Sequence, residues 1–333
     1  MKKLYYPLLL LILPLLLLTS FFPANRKGPL TKEVKEGTIT NLYDAFGRDT
    51  VLTKDFGFSC ITKYKGKTIL FDAGSNAAIF KSNVIKSGID LQKVDMVVVS
   101  HGHFDHLNGL DYLLEINPHV KIYFPYDIFW GAPVPYDATG QEPAVKDSLP
   151  VYMRYFDGGD TKFTIQQSGR FWNANIEFIK TSKEILPGLT LIATSSSFMG
   201  YFSCYPNKSF VDGQFEQPKD NCKQTGLPEL SLSMKTEKGE VLLVGCSHTG
   251  VENIIAETKK QTGDKIELLY GGFHMLPFDR QQTAASIDKI KNELQVHRVA
   301  PAHCTGHLAF KLLQSAYGSD YIFAGLGETI QYE

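Results

Sequence analysis

The sequence predicts a mixed α/β fold, and three observations carry the prediction. Short apolar runs of strand-like composition alternate with longer stretches whose apolar residues recur at helical spacing. Glycine closes several of the apolar runs, in FDAG, VGC and YGG, as it does where a strand passes into a loop. Strands leading into a helix occur early in the chain and again in its later part, which implies two β-then-α halves.

The first segment is of different material. Lys2 and Lys3 precede an apolar stretch from Leu4 to Phe22, interrupted by Pro7 and Pro14, and PANRKGP then restores polar composition. This layout predicts a signal peptide or an N-terminal membrane anchor over residues 1–28. A buried core helix does not suit a run with no polar face and two prolines. The expectation is export, giving a periplasmic, secreted or outward-facing tethered protein.

From residue 37 to 333 one domain is expected. TITNLYDAF, GFSCITKY and KTILFDAG read as strands joined by tight turns, SNAAIFKSNVIKSG as a helix, and VDMVVVSHGH as the next strand. The stretch from about 125 to 175 is rich in Pro, Gly, Tyr and Asp and reads as loops or lids. Its aromatic runs, such as IYFPYDIFW, suit packing more than ligand stacking. Residues 198–222 read as a second candidate lid. LTLIATSS, LSLSMKTEKG and EVLLVGCSH are the later strands, and TGVENIIAETKKQTG is a helix. KIELLYGGFH is a strand, RQQTAASIDKIKNELQ a helix, and VHRVAPAHCTGH a final strand-to-loop passage.

Composition narrows the function classes. Acidic and basic residues nearly cancel, leaving a formal charge of −1, so no electrostatic footprint for nucleic acid exists and a small-molecule partner is expected. Of the five cysteines, Cys204 and Cys222 bracket a turn-rich segment that a disulfide would close in an oxidising compartment. Cys246 and Cys304 stand beside histidines at strand ends and group with the active region instead.

The chemistry concentrates in SHGHFDH. His101, His103, Asp105 and His106 put four ligand-type residues into six positions at the end of a buried strand. Imidazoles two residues apart can turn toward one ion, while Asp105 and His106 can face a second; imidazole and carboxylate suit zinc, iron or manganese. Such a cluster needs partners from distant segments. The same rule, histidine at the end of a strand, selects Cys246 and His248 in VGCSH, His274 in GGFH and His303 in PAHCTG. His119, His297 and His307 lack that setting and read as ordinary surface or core histidines.

HGHFDH resembles the H-x-H-x-D-H signature of the metallo-β-lactamase superfamily. With GFS, LFDAG, GCSH-x-G, GGFH and PAHCTG, the chain after residue 37 resembles one branch. That branch comprises metal-dependent hydrolases similar to 7,8-dihydropterin-6-methyl-4-(β-D-ribofuranosyl)-aminobenzene-5′-phosphate synthase. The resemblance implies a four-layer αββα sandwich with the site at one edge. It implies one metal position from His101, His103 and His248 and a second from Asp105, His106 and His303, with Asp72 supporting them from behind. Where the superfamily often places a bridging aspartate, this chain has Cys246, and His274 is a further ligand or a substrate contact.

The activity so implied is that of an exported, binuclear zinc hydrolase. It would use a metal-bound hydroxide on an ester, phosphoester or lactone-like small molecule, with Asp105 orienting that group or receiving its proton. One or two Zn2+ ions are expected, with Fe or Mn as alternatives. Two other readings stay open: a pterin-related synthase or transferase, and a metal-binding protein without hydrolytic turnover.

Overall fold

The computed structural model describes residues 37–332 except 128–130, 138–143, 152–153, 161, 166–169, 172, 203–209, 212–213 and 216–223. The leader at 1–28, the Cys204–Cys222 pair and most of the expected 198–222 lid lie outside the described residues.

Strands β1 (Gly37–Tyr43), β2 (Ser59–Tyr64) and β3 (Lys67–Phe71) form an antiparallel meander. Its second turn holds Lys65 and Gly66 at φ 47° and 80°, the two positive values that a tight hairpin needs to match strand twist. Helix α1 (Ala77–Lys86) starts at Asn76, whose side chain accepts from the Ala78 and Ile79 N–H groups. The helix returns the chain to β4 (Met96–Val98), parallel to β3. Helices α2 (Phe104–Leu107) and α3 (Leu110–Ile116) then lead to β5 (Lys121–Pro125), parallel to β4.

The stretch expected to be loops carries a separate ribbon, β6 (Val134–Asp137) with β7 (Lys162–Ile165), and a short helix α4 (Val145–Ser148) between them. Beyond it β8 (Ile176–Ile179) rejoins β5. Strands β9 (Lys183–Leu186) and β10 (Leu189–Phe202) open the second half, and a two-stranded piece, β11 (Phe210–Val211) with β12 (Gln214–Phe215), follows. The antiparallel run continues through β13 (Gln224–Thr236) and β14 (Gly239–Val244). Helix α5 (Val251–Thr262) ends at Gly263 in the left-handed region, φ 72°, and leads to β15 (Ile266–Gly272), parallel to β14.

Helix α6 (Arg280–Asp288) opens with a capping box between Asp279 and Gln282, and a π-helical turn over Lys289–Glu293 completes the helical stretch expected there. Strand β16 (Arg298–Ala302), helix α7 (His307–Tyr317) and strand β17 (Thr329–Tyr332) close the chain.

The strands assemble into two main sheets, ordered β17-β1-β2-β3-β4-β5-β8 and β16-β15-β14-β13-β10-β9. Period-two alternation divides each strand between two cores. Ile69, Phe71 and Val98 of the first sheet meet Leu232, Leu243 and Leu268 of the second in the central core. Leu70, Val97 and Ile122 point the other way, onto Phe80 and Val84 of α1 and Leu113 of α3. Leu242, Leu269 and Val299 likewise pack on Ile254 of α5, Ile287 of α6 and Leu313 of α7. The result is an αββα sandwich. Strands β3, β4, β14, β15 and β16 are among the parallel members, and the C-terminal ends of these five deliver loops to the site.

Candidate metal centre

Two of the sequence-selected groups converge. Ligand atoms of His101, His103 and His248 lie within 4.8 Å of one another, and so do those of Asp105, His106 and His303. In the first set His101 Nε2 stands 3.0 Å from His103 Nδ1. In the second, His106 Nε2 is 3.2 Å from His303 Nε2, and Asp105 Oδ2 lies 3.6 Å from the former and 3.5 Å from the latter. His119, His297 and His307 are exposed, and His297 pairs with Glu267 at 2.9 Å, away from the cage.

The proton positions follow from the support behind the cage. Asp72 accepts from the Ser100 backbone N–H and the Ser100 hydroxyl, each at 2.7 Å, and from His106 Nδ1 at 2.7 Å. Because the Ser100 hydroxyl donates to Asp72, its oxygen accepts from His101 Nδ1 at 2.9 Å. Both rings therefore carry their proton on Nδ1 and turn an Nε2 lone pair inward. His248 Nε2 is buried with no hydrogen-bond partner. The lone pairs that His101 and His106 turn inward and the unpartnered His248 Nε2 are what a cation would satisfy, and the residues present fit a divalent ion.

Electrostatics separate the two sets. Burial holds His101 well below the ordinary imidazole range, lowers His103, and pushes His248 down to about 2, reinforced by the neighbouring histidines. For His303 burial acts in the same sense, but Cys304, Asp105 and Asp44 outweigh it and raise the ring to about 9. Asp105 is opposed by burial, yet its hydrogen bond to His303 and the charges of His106 and His303 hold the carboxyl well below its usual range. The first set is neutral nitrogen, and the second contains a fixed anion.

Backbone strain collects here as well. Of seven non-glycine residues with positive φ among the described residues, four are Asp72, Ser247, His274 and His303, each just past a strand end. Hydrogen bonds hold them. Gly272 N–H donates to Gly245 O at 3.0 Å, the Ser247 hydroxyl to Gly272 O at 2.7 Å, and Phe273 N–H to Thr305 Oγ1 at 3.1 Å. Close approach explains the glycines of VGC and YGG. A Cβ on Gly245 would stand 2.2 Å from Ser100 Oγ, and one on Gly272 2.4 Å from Gly245 O.

Sequence reasoning missed three contributors. Asp44, fully buried at the end of β1, accepts from His303 N–H and Asn41 Nδ2 at 3.0 Å each, and burial pushes its carboxyl up to about 6. Ser100, directly before the motif, relays Asp72 to His101. Glu229 accepts from Thr249 N–H at 2.8 Å and its hydroxyl at 3.0 Å, steadying the loop that carries His248. The only sequence signal for Asp44 and Ser100 is a polar residue ending a strand-like run.

Cys246 lies inside the centre, its Sγ 3.3 Å from His106 Nε2 and 3.2 Å from His303 Nε2. His274 packs on His248 with ring centroids 4.3 Å apart. The donors open onto a cleft of about 570 Å3 whose rim includes Phe56, Phe104 and Leu276, exposed by 49%, 63% and 59%. No lysine or arginine lines it among the described residues.

The family model of the metallo-beta-lactamase superfamily matches residues 54–165. The chain is 27% identical over 272 residues to 7,8-dihydropterin-6-methyl-4-(beta-D-ribofuranosyl)-aminobenzene-5′-phosphate synthase of Methanocaldococcus jannaschii, covering 80% of this chain and 85% of the relative. It is 26% identical over 281 residues to an uncharacterized protein of the same organism, covering 82% and 92%. Among solved structures, a metal-dependent hydrolase of the beta-lactamase superfamily superposes with a TM-score of 0.62 at 22% identity, covering 89% of this chain and 99% of that one.

Proposed function

We propose, for a chain that belongs to the metallo-β-lactamase superfamily, the function of an exported metal-dependent hydrolase acting on an ester, phosphoester or lactone-like small molecule. One observation carries the proposal: two adjacent sets of three inward-facing donors, drawn from both sheets. His101, His103 and His248 would hold one ion, and Asp105, His106 and His303 the other, with zinc first and iron or manganese as alternatives. A divalent ion there supplies Lewis acidity and lowers the pKa of its water to about 7.

The chain's own residues do the rest. Asp105, kept ionised by its hydrogen bond to His303 and the charges of His106 and His303, can orient the attacking water or receive its proton through its carboxylate. Asp72 and Ser100 fix the tautomers of His106 and His101, so neither ring donates into the cage. His248 and His274 line the cleft beside the reacting centre. The apolar rim and the absence of a basic side chain in its described lining favour a neutral ester or lactone over a phosphoester.

Pterin-related synthesis is the second reading, supported by the 27% identity to the archaeal synthase over most of that protein's length. Elemental mass spectrometry of the purified protein, followed by an ester, lactone and phosphoester panel, tests both. About two metals per chain and turnover of neutral esters are expected. Full metal content in His101→Ala and His303→Ala would overturn the cage, and activity confined to pterin and phosphoribosyl substrates would select the synthase.

A further inference from the structure

The two proposed positions leave three donors at the same edge without an assignment. Cys246 and Cys304 place their sulfur atoms 3.4 Å apart, and each thiol residue is only 3% exposed. Cys304 Sγ also lies 3.5 Å from the Cys246 carbonyl oxygen and is hydrogen-bonded to the His274 side chain. His274 joins them, with ligand atoms of all three residues within 4.8 Å of one another. Its Nδ1 is buried without a hydrogen-bond partner, and its backbone is held at φ 48°. All three residues line the cleft. Gly272 makes the room, because a Cβ there would stand 2.9 Å from Cys304 Sγ.

We propose that Cys246, Cys304 and His274 form a third ion position, suited to a soft, thiophilic cation and distinct from the two nitrogen- and oxygen-rich positions. Two sulfurs and one imidazole favour zinc, cadmium or cuprous copper over manganese or magnesium, since thiolate is the soft ligand among protein donors. Three protein ligands leave a tetrahedral ion one coordination position, and the cleft adjoins it. Cys246 connects this position to the second set, because its sulfur also reaches His106 and His303. The inference rests on the hydrolase reading only through that shared sulfur.

Cadmium is the probe, applied to the full chain kept reduced. Equilibrium dialysis and the near-ultraviolet thiolate-to-cadmium absorption report how many ions bind and how many sulfurs they touch. The wild-type chain is expected to take three cadmium ions, one with a cadmium NMR shift in the thiolate-rich range, and Cys304→Ser to take two with a weaker charge-transfer band. His274→Ala is expected to lose or weaken the same ion. Cys304→Ser with unchanged cadmium content and absorption overturns the proposal, as does a wild-type NMR spectrum without a thiolate-rich signal, which needs no variant to fold. Isolation of the wild-type pair as a disulfide inaccessible to cadmium also overturns it. Loss of ions in His101→Ala but not in Cys304→Ser would sink this proposal while sparing the hydrolase reading, and the reverse pattern would do the opposite.

Discussion

At the scale of single residues, the most consequential side chain never reaches the cage interior. Asp72 takes three donors on one carboxylate, and an amide in its place would turn an N–H toward at least one of them. Asp72→Asn is therefore expected to weaken metal binding by about 10- to 100-fold, read by competition with a chromophoric chelator, with the fold retained by circular dichroism. An unchanged affinity would mean that the tautomers are set elsewhere. Asp44→Asn acts on the backbone of His303 instead, removing a buried acceptor charge from a strained residue, and should cost about 1–3 kcal/mol of stability in urea unfolding. HGHFDH announces itself through ligand density alone, and GCSH, GGFH and PAHCTG through histidine at strand ends. Asp44 shows only as a polar residue ending a strand-like run and Glu229 not at all, because the partners that give them their roles, His303 and Thr249, are distant in the chain.

Among elements, the strand ends decide the geometry. The long strands of each half were legible because apolar alternation and glycine punctuation agree there. The short β5 and β8 have no assignment in the sequence reading, since so brief an apolar run fits strand and helix alike; the terminal α7 and β17 have none either, although α7 carries an amphipathic pattern over 11 residues. The 125–175 stretch, read as loops or lids, holds the β6–β7 ribbon outside both main sheets, and its Phe171 is buried with Ile122 and Phe124 in the helix-side core, so it contributes both strands and a core residue. Close backbone approach at the end of β14 gives a sharp test. Gly245→Ala would press a methyl against Ser100, at a cost of about 1–3 kcal/mol from overpacking, and should lower metal content along with the melting temperature. Normal metal content at normal stability would show that Ser100 can shift without disturbing His101.

On the scale of the whole molecule, the leader and the sandwich make separate statements. No helix among the described residues is long and apolar enough to cross a membrane. If residues 1–28 act as a cleaved export signal, intact-mass measurement of the protein from its native host should find a chain that starts near residue 25, in an extracytoplasmic fraction; a full-length cytosolic chain would refute export. The candidate cage has its own global consequence. His101, His103, Asp105 and His106 hang from the sheet that contains β4, whereas His248 and His303 hang from the sheet that contains β14 and β16. An ion held by both groups is then a rivet across the seam of two independently hydrogen-bonded layers, present only after they have met. Ligation of that kind is linked to folding: metal at 100 times its dissociation constant adds about 2.7 kcal/mol to the native state. A chelator should accordingly lower the unfolding midpoint of the entire sandwich in a single cooperative step, and the melting temperature becomes an assay of the site that requires no substrate.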